Sequence, residues 1–324
     1  MVPEKFHGWS FGAFLLLLCL FSSAAAPAGS QPSDALRRPW ELPHVLELAP
    51  GVNHLCAITL DRRVRCWGPG MSDLLVPAEV RRRAIQLASG NRFTCALLDN
   101  GQVRCFGDPL QPALRLPFGL AGIRALGAGT SSVCALGQNG KVRCWGEGPP
   151  EASRTPQAGW AGWKDLVQIA VGPHHVCAID RASKLHCFSA QNAFGEASVP
   201  AEVQEMDVHQ VALGDGFTCA LDFSGQVFCW GRQDGGVTEV PQDIQPVSQL
   251  TAGQSHACAL QPAGRVRCWG SNAFDQLAVP RRMPVTESIA AKINQTCALA
   301  HDGALTCWGR APGLAPDPLM AFFD

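Results

Sequence analysis

No charge of one sign dominates this chain. Lys and Arg number 26 against 27 Asp and Glu, for a formal net charge of −1. That balance leaves no electrostatic footprint for a nucleic acid. The marks of catalysis are also missing. There is no G-x-S-x-G elbow. Asp234-Gly235-Gly236 lacks the Lys-Ser/Thr that completes a phosphate loop. Carboxylates are scattered rather than paired. No cysteine spacing fits a zinc knuckle. Beyond the N-terminus no run approaches the ~20 apolar residues that cross a bilayer. An enzyme, a metal site, a cofactor, a nucleic-acid partner and a membrane span are therefore all disfavoured.

The first residues read as a secretory signal. Lys5 is a weak positive start, the stretch from Ala13 to Phe21 is the apolar core, and the small residues up to Ala28 suit cleavage. The expected divisions are a signal peptide at 1–28, a flexible leader at 29–38, a repeat array at 39–318 and a tail at 319–324. Of 15 cysteines, Cys19 falls in the signal, and an even set of 14 remains. An even set in an exported chain reads as a disulfide framework.

Those 14 fall into seven pairs, each ten residues apart: Cys56 with Cys66, Cys95 with Cys105, Cys134 with Cys144, Cys177 with Cys187, Cys219 with Cys229, Cys258 with Cys268 and Cys297 with Cys307. The first members recur at intervals of 39, 39, 43, 42, 39 and 39. A period near forty with several short strands signals a propeller or solenoid. The stretch Gly253 to Gly270 shows the unit. Pro262-Ala263-Gly264 turns the chain between two strands. Counting back from that turn, Leu260 faces Val266, and Cys258 faces Cys268 at a non-hydrogen-bonded site with Cα atoms about 4.5 Å apart, close enough for a disulfide. Each unit offers three strands and room for a fourth, as in Gln276 to Val279. Both strand faces are apolar, as a blade packed between two neighbours requires. Seven units give an all-β, seven-bladed β-propeller with one disulfide per repeat. Arg62 and Ser183 occupy the tip position where the other units have glycine. Lys292 replaces the strand-ending glycine of unit seven, which is expected to be the least regular blade.

The pattern G-x-x-[HF]-x-C-A-L-x4-G-x-V-x-C-W-G, followed by Ser271-Asn272-Ala273-Phe274-Asp275-Gln276-Leu277, resembles the repeat of the regulator of chromosome condensation family. The resemblance covers nearly the whole mature chain and implies a seven-bladed propeller. The paired cysteines are similar to the extracellular branch, which includes the ectodomains of crinkly-type plant receptor kinases; the secreted β-lactamase inhibitor propeller is a related case. The family's nuclear founder exchanges guanine nucleotides, but no catalytic motif is matched here.

Candidate binding residues sit on the turns before each Cys-Ala and on the long loops after each Trp-Gly, which share one face. They are Arg92, Phe93, His174, His175, Phe194, Phe217 and Phe274. Variable loops on a rigid scaffold commonly carry binding. His54, His175 and His256 share one register; the structural reading is that each bonds backbone at the turn mouth. Arg65, Arg104, Arg143 and Arg267 share another, as a basic ring or as stems packed across their blades. Asn294-Gln295-Thr296 is the one N-glycosylation sequon. The expected function is a secreted, non-catalytic, monomeric propeller that binds an extracellular protein as a ligand, receptor-binding factor or inhibitor. A carbohydrate-binding lectin is the alternative, and a secreted enzyme the third.

Overall fold

Opposed cysteines ten residues apart set the geometry of every unit. The structure, a computed structural model, describes residues 45–68, 75–147 and 162–309. The expected signal peptide, leader, array start and C-terminal tail lie outside the described residues. Within them the chain forms seven three-stranded antiparallel sheets of consecutive strands. The inner strands of blades one to seven are Val45–Pro50, Ala84–Ser89, Ile123–Ala128, Leu166–Val171, Val208–Leu213, Gln249–Ala252 and Thr286–Lys292. In blade six Leu260 faces Val266, Ala259 faces Arg267 and Cys258 faces Cys268.

All seven disulfides are local, one to a blade. Cys56 bonds Cys66, Cys95 bonds Cys105, Cys134 bonds Cys144, Cys177 bonds Cys187, Cys219 bonds Cys229, Cys258 bonds Cys268 and Cys297 bonds Cys307. Their Cα atoms are 4.0 or 4.1 Å apart, somewhat closer than the sequence register suggested. The first cysteine of each pair lies on the middle strand and is buried. The second lies on the outer strand, where cover varies. Cys66, Cys144 and Cys307 are buried, whereas Cys105, Cys187, Cys229 and Cys268 are partly exposed. At the hairpin tips Arg62 and Ser183 hold the left-handed conformation, at φ 60° and 61°. A side chain there costs roughly 1 kcal/mol relative to glycine.

The middle strands show why one sheet cannot stand alone. Phe93–Leu98 is buried at all six positions. Alternate residues of that strand serve opposite neighbours. Ala96 and Leu98 share a core with Ile58 and Val64 of blade one. Phe93 and Leu97 share another with Val133 and Ala135 of blade three. Repetition of this scheme packs sheet on sheet around an axis lined by the inner strands, each against the next. The ring closes where Leu48, Leu55 and Trp67 of blade one meet Cys297, Leu305 and Cys307 of blade seven. The first and last described blades are thus adjacent.

Two expectations are corrected. The segment Gln276 to Val279 is not a fourth strand: the N–H groups of Ala278 and Val279 bond back to Asp275 and Leu277, so it turns instead of pairing. Blade seven is not irregular. Its inner strand is the longest of the seven, and its middle and outer strands pair without a break. The missing glycine affects only the turn, where Ile293 takes φ 53°.

Candidate functional site

The turn after each inner strand places one residue under the turn face: His54, Phe93, Ser132, His175, Phe217, His256 and Gln295. Where that residue is a ring, it lies on the glycine that opens its own turn. A Cβ on Gly51 would sit 2.2 Å from His54 Cε1, and one on Gly253 2.2 Å from His256 Cε1. The glycine is required there because the ring fills its side-chain space. The histidines do not bond backbone, as the sequence suggested. Each bonds through Nε2 to a threonine of the next blade: His54 to Thr94 at 2.9 Å, His175 to Thr218 at 2.7 Å and His256 to Thr296 at 2.8 Å. The Thr218 hydroxyl donates to Glu196 O, so His175 Nε2 carries the proton that Thr218 accepts. Burial, the largest cause, depresses all three histidines from 6.5 to about 4. Phe93 and Phe217 are followed in the next blade by Val133 and Ala257, and no hydroxyl is stranded. These are latches between blades.

A second set of latches lies on the inner strands. Gln210 clamps the next blade's backbone, with Nε2 donating to Leu250 O at 2.9 Å and Oε1 accepting from Leu250 N–H at 2.8 Å. Gln86 does the same to Leu126. Blade one has Glu47 at this register, accepting from Leu87 N–H at 3.3 Å. Burial pushes its carboxyl up to about 7, opposed by that hydrogen bond. Lys292, at the end of the last inner strand, crosses the ring and donates to Ala128 O at 2.8 Å and Gly129 O at 3.3 Å. Burial lowers its ammonium to about 8. Lys292, Gln254 and Thr130 line a cavity of about 230 Å³. A wider one of about 340 Å³ above it shares Thr130, Pro173, Gln254 and Ile293 and is rimmed by Glu147, His174 and Asp215.

On this rim stands a connected group. Asp215 accepts from Arg232 Nη1 at 3.4 Å and Gln254 Nε2 at 3.3 Å, and pairs with His174 Nε2 at 3.2 Å. The Arg232 guanidinium lies 4.1 Å from the Phe194 ring centroid, a cation–π contact. Phe194 is held out by its own loop: its N–H donates to the buried Glu196 carboxylate, and Asn192 Oδ1 accepts from Ala197 N–H. Asn272, Phe274 and Gln276 repeat that scheme in blade six. Phe194 is 46% exposed and Phe274 38%.

Of the residues chosen from sequence, the structure brings His174 and Phe194 together through Asp215 and Arg232, neither of which the sequence singled out. Arg92 is half-exposed and paired with Asp108 at 3.2 Å. Phe93, His175 and Phe217 are fully buried. They serve the core because each must fill the space over a turn glycine, so a partner cannot reach them. Asn294 is also buried, and its Oδ1 accepts from Gln276 Nε2 at 3.2 Å, so the sequon is turned inward. Three of the four in-register arginines are engaged by the segments that lead into their blades: Arg104 by Glu79, Arg143 by Phe118 O, Arg267 by Asp243. They do not form an open basic ring. Trp145, Trp269 and Trp308 are core, each donating Nε1–H to a carbonyl of the preceding loop. Among the described residues no group of three or more His, Cys, Asp or Glu is placed to hold a metal ion, and no helix is long and apolar enough to cross a membrane.

Fold and site together define a disulfide-braced, seven-bladed β-propeller with a polar and aromatic rim around its axis. Three of its stretches, 84–109, 208–236 and 247–276, match the regulator of chromosome condensation (RCC1) repeat, in line with the resemblance seen in the sequence. The CRINKLY WD40 ectodomain of the Arabidopsis thaliana receptor kinase ACR4 is similar in structure, with TM-score 0.65 and 20% identity over 83% of this chain and 99% of that one. The ectodomain of the Physcomitrella patens receptor kinase CR4 gives TM-score 0.64 at 24% identity, over 81% and 72%. Prp20p from Saccharomyces cerevisiae gives 0.60 at 18%, over 82% of each. No curated protein matches the chain in sequence.

Proposed function

We propose that the chain is a secreted, non-catalytic propeller that binds an extracellular protein through the face bearing Phe194, Arg232, Asp215 and His174. The observation that carries this is Phe194, a large aromatic kept nearly half exposed by its own loop and flanked by Arg232. Aromatic and arginine side chains at an interface centre supply most binding energy. Seven local disulfides fit an oxidising compartment outside the cell. The similar plant ectodomains belong to receptor kinases, which supports an extracellular binding role.

The test uses secreted protein as bait in the extracellular fluid of its source, with F194A/R232A protein in parallel. A partner identified by mass spectrometry on the wild-type bait and depleted on the variant supports the proposal. A partner retained on the variant overturns the choice of face. Binding on a glycan array without protein capture replaces the protein partner with a carbohydrate.

A further inference from the structure

Six blades carry a glycine where the inner strand gives way to its turn: Gly51, Gly90, Gly129, Gly172, Gly214 and Gly253. Blade seven alone projects a charged side chain from that register, Lys292. We propose that the axial cavity lined by Lys292 receives the carboxylate of an acidic side chain of the protein partner. This rests on the reading that the partner docks on the rim.

The ammonium is held but not neutralised. Two of its three N–H groups go to Ala128 O at 2.8 Å and Gly129 O at 3.3 Å, and the third is left over. Neither acceptor carries a charge. Burial lowers the ammonium to about 8, and no carboxylate stands close enough to oppose that. A cation desolvated without a counter-ion is costly, and an arriving carboxylate recovers part of the cost through a charge-assisted hydrogen bond. The side chain is deeply set yet partly exposed, and it lines the cavity of about 230 Å³. Thr130 and Thr251 line the same space, and among the described residues no Asp or Glu does. Thr251 Oγ1 accepts from Ala291 N–H at 2.9 Å, which leaves its own hydroxyl proton to donate.

This cavity shares Thr130, Pro173, Gln254 and Ile293 with the wider one of about 340 Å³ at the rim. The outer space falls in the range of ligand sites, roughly 300–1,000 Å³. The inner one is smaller and suits a single functional group. A side chain reaching inward from a docked partner matches that division. The carboxylates at the mouth do not bar its way. Asp215 is engaged by Arg232 and Gln254, and Glu147 is exposed, where water and salt screen it.

Sodium propionate, the glutamate side chain as a free acid, is the probe, and propionamide is its uncharged control. Each is titrated into the full secreted protein labelled with 13C-lysine. The Lys292 ε-methylene signal, assigned through K292M, is followed by NMR at pH 7. Propionate should shift that signal saturably and leave the exposed Lys141 and Lys164 in place; propionamide should move none of them. No shift at Lys292, an equal shift with propionamide, or equal shifts at all three lysines overturns the carboxylate site, and no variant has to fold for that result. K292M should also weaken the captured partner roughly tenfold or more, with the circular dichroism of the wild type. Unchanged partner binding beside a propionate response in wild type would assign the cavity to a free carboxylic acid and overturn the partner's side chain as its ligand. Retention of the partner by F194A/R232A would instead overturn the choice of face, while the propionate titration still decides the cavity.

Discussion

Acid should loosen this propeller through its buried histidines. His54, His175 and His256 are each depressed from 6.5 to about 4 in the folded chain. The unfolded chain takes up protons first as pH falls through 6.5. Each histidine's contribution is therefore whole above 6.5 and lost progressively down to about 4. A difference of two to three pH units is roughly 3 kcal/mol per residue. Glu47 works the other way. Its folded value is raised to about 7 from 4.5, so its burial cost is full above 7 and gone below 4.5. Between pH 6.5 and 4.5 the unfolded state thus gains three histidine protons against one that the folded state holds on Glu47. The net two protons give a slope of roughly 3 kcal/mol per pH unit, a large share of a typical domain's 5–15 kcal/mol. Urea unfolding with disulfides intact, followed by tryptophan fluorescence from pH 7.5 to 4.5, measures the slope. H256F/T296V installs the phenylalanine-and-valine pairing already present at Phe93 and Val133. It should lower the slope by about 1.4 kcal/mol per pH unit, one proton's worth. An unchanged slope, or a His256 imidazole NMR signal titrating near 6.5 in wild type, would refute the latch.

Three further outcomes follow from the same contacts. E47Q should stabilise the chain by up to about 3 kcal/mol at pH 8 and not at pH 4, because an amide carries no charge to bury and can donate to Leu87 O; equal effects at both values would show that Glu47 is solvated. Q210A should cost about 2–4 kcal/mol in urea unfolding, since it strands both the N–H and the C=O of Leu250; a loss under 0.5 kcal/mol would mean the clamp adds nothing. Non-reducing peptide mapping of secreted protein should give seven disulfides within units, no Cys19, and an Asn294 peptide without glycan; a bridge between units would contradict the register.

Much of the fold was legible because the repeat states it seven times. The constant cysteine spacing fixes the hairpin register, and alternating apolar residues such as Ala96 and Leu97 require cover on both faces. Contacts between repeats were harder to see. His54 and Thr94 are 40 residues apart, and their partnership shows only when each unit is read against the next. His175 with Thr218 and His256 with Thr296 follow the same rule, while Phe93 and Phe217 precede Val133 and Ala257. Read that way, the sequence already separates latches from packed rings. Phe93 and Phe217 were misjudged because an aromatic beside a turn looks alike whether it covers a glycine or faces solvent. Phe194 and Phe274 differ: each follows Asn-Ala and precedes a Glu or Gln whose buried side chain bonds the loop's own backbone. Lys292 was visible as a departure, but its reach across the ring depends on closure, which no local pattern encodes.

The most direct test of binding on the turn-and-loop face compares two matched sets of alanine variants against the captured partner. One set is F194A, R232A and H174A; the other is N100A, N139A and D302A at hairpin tips, with folding checked by circular dichroism. F194A or R232A should weaken binding roughly thirtyfold, about 2 kcal/mol, while the tip variants stay within twofold. Loss of binding in the tip set with the rim set unchanged would contradict the assignment.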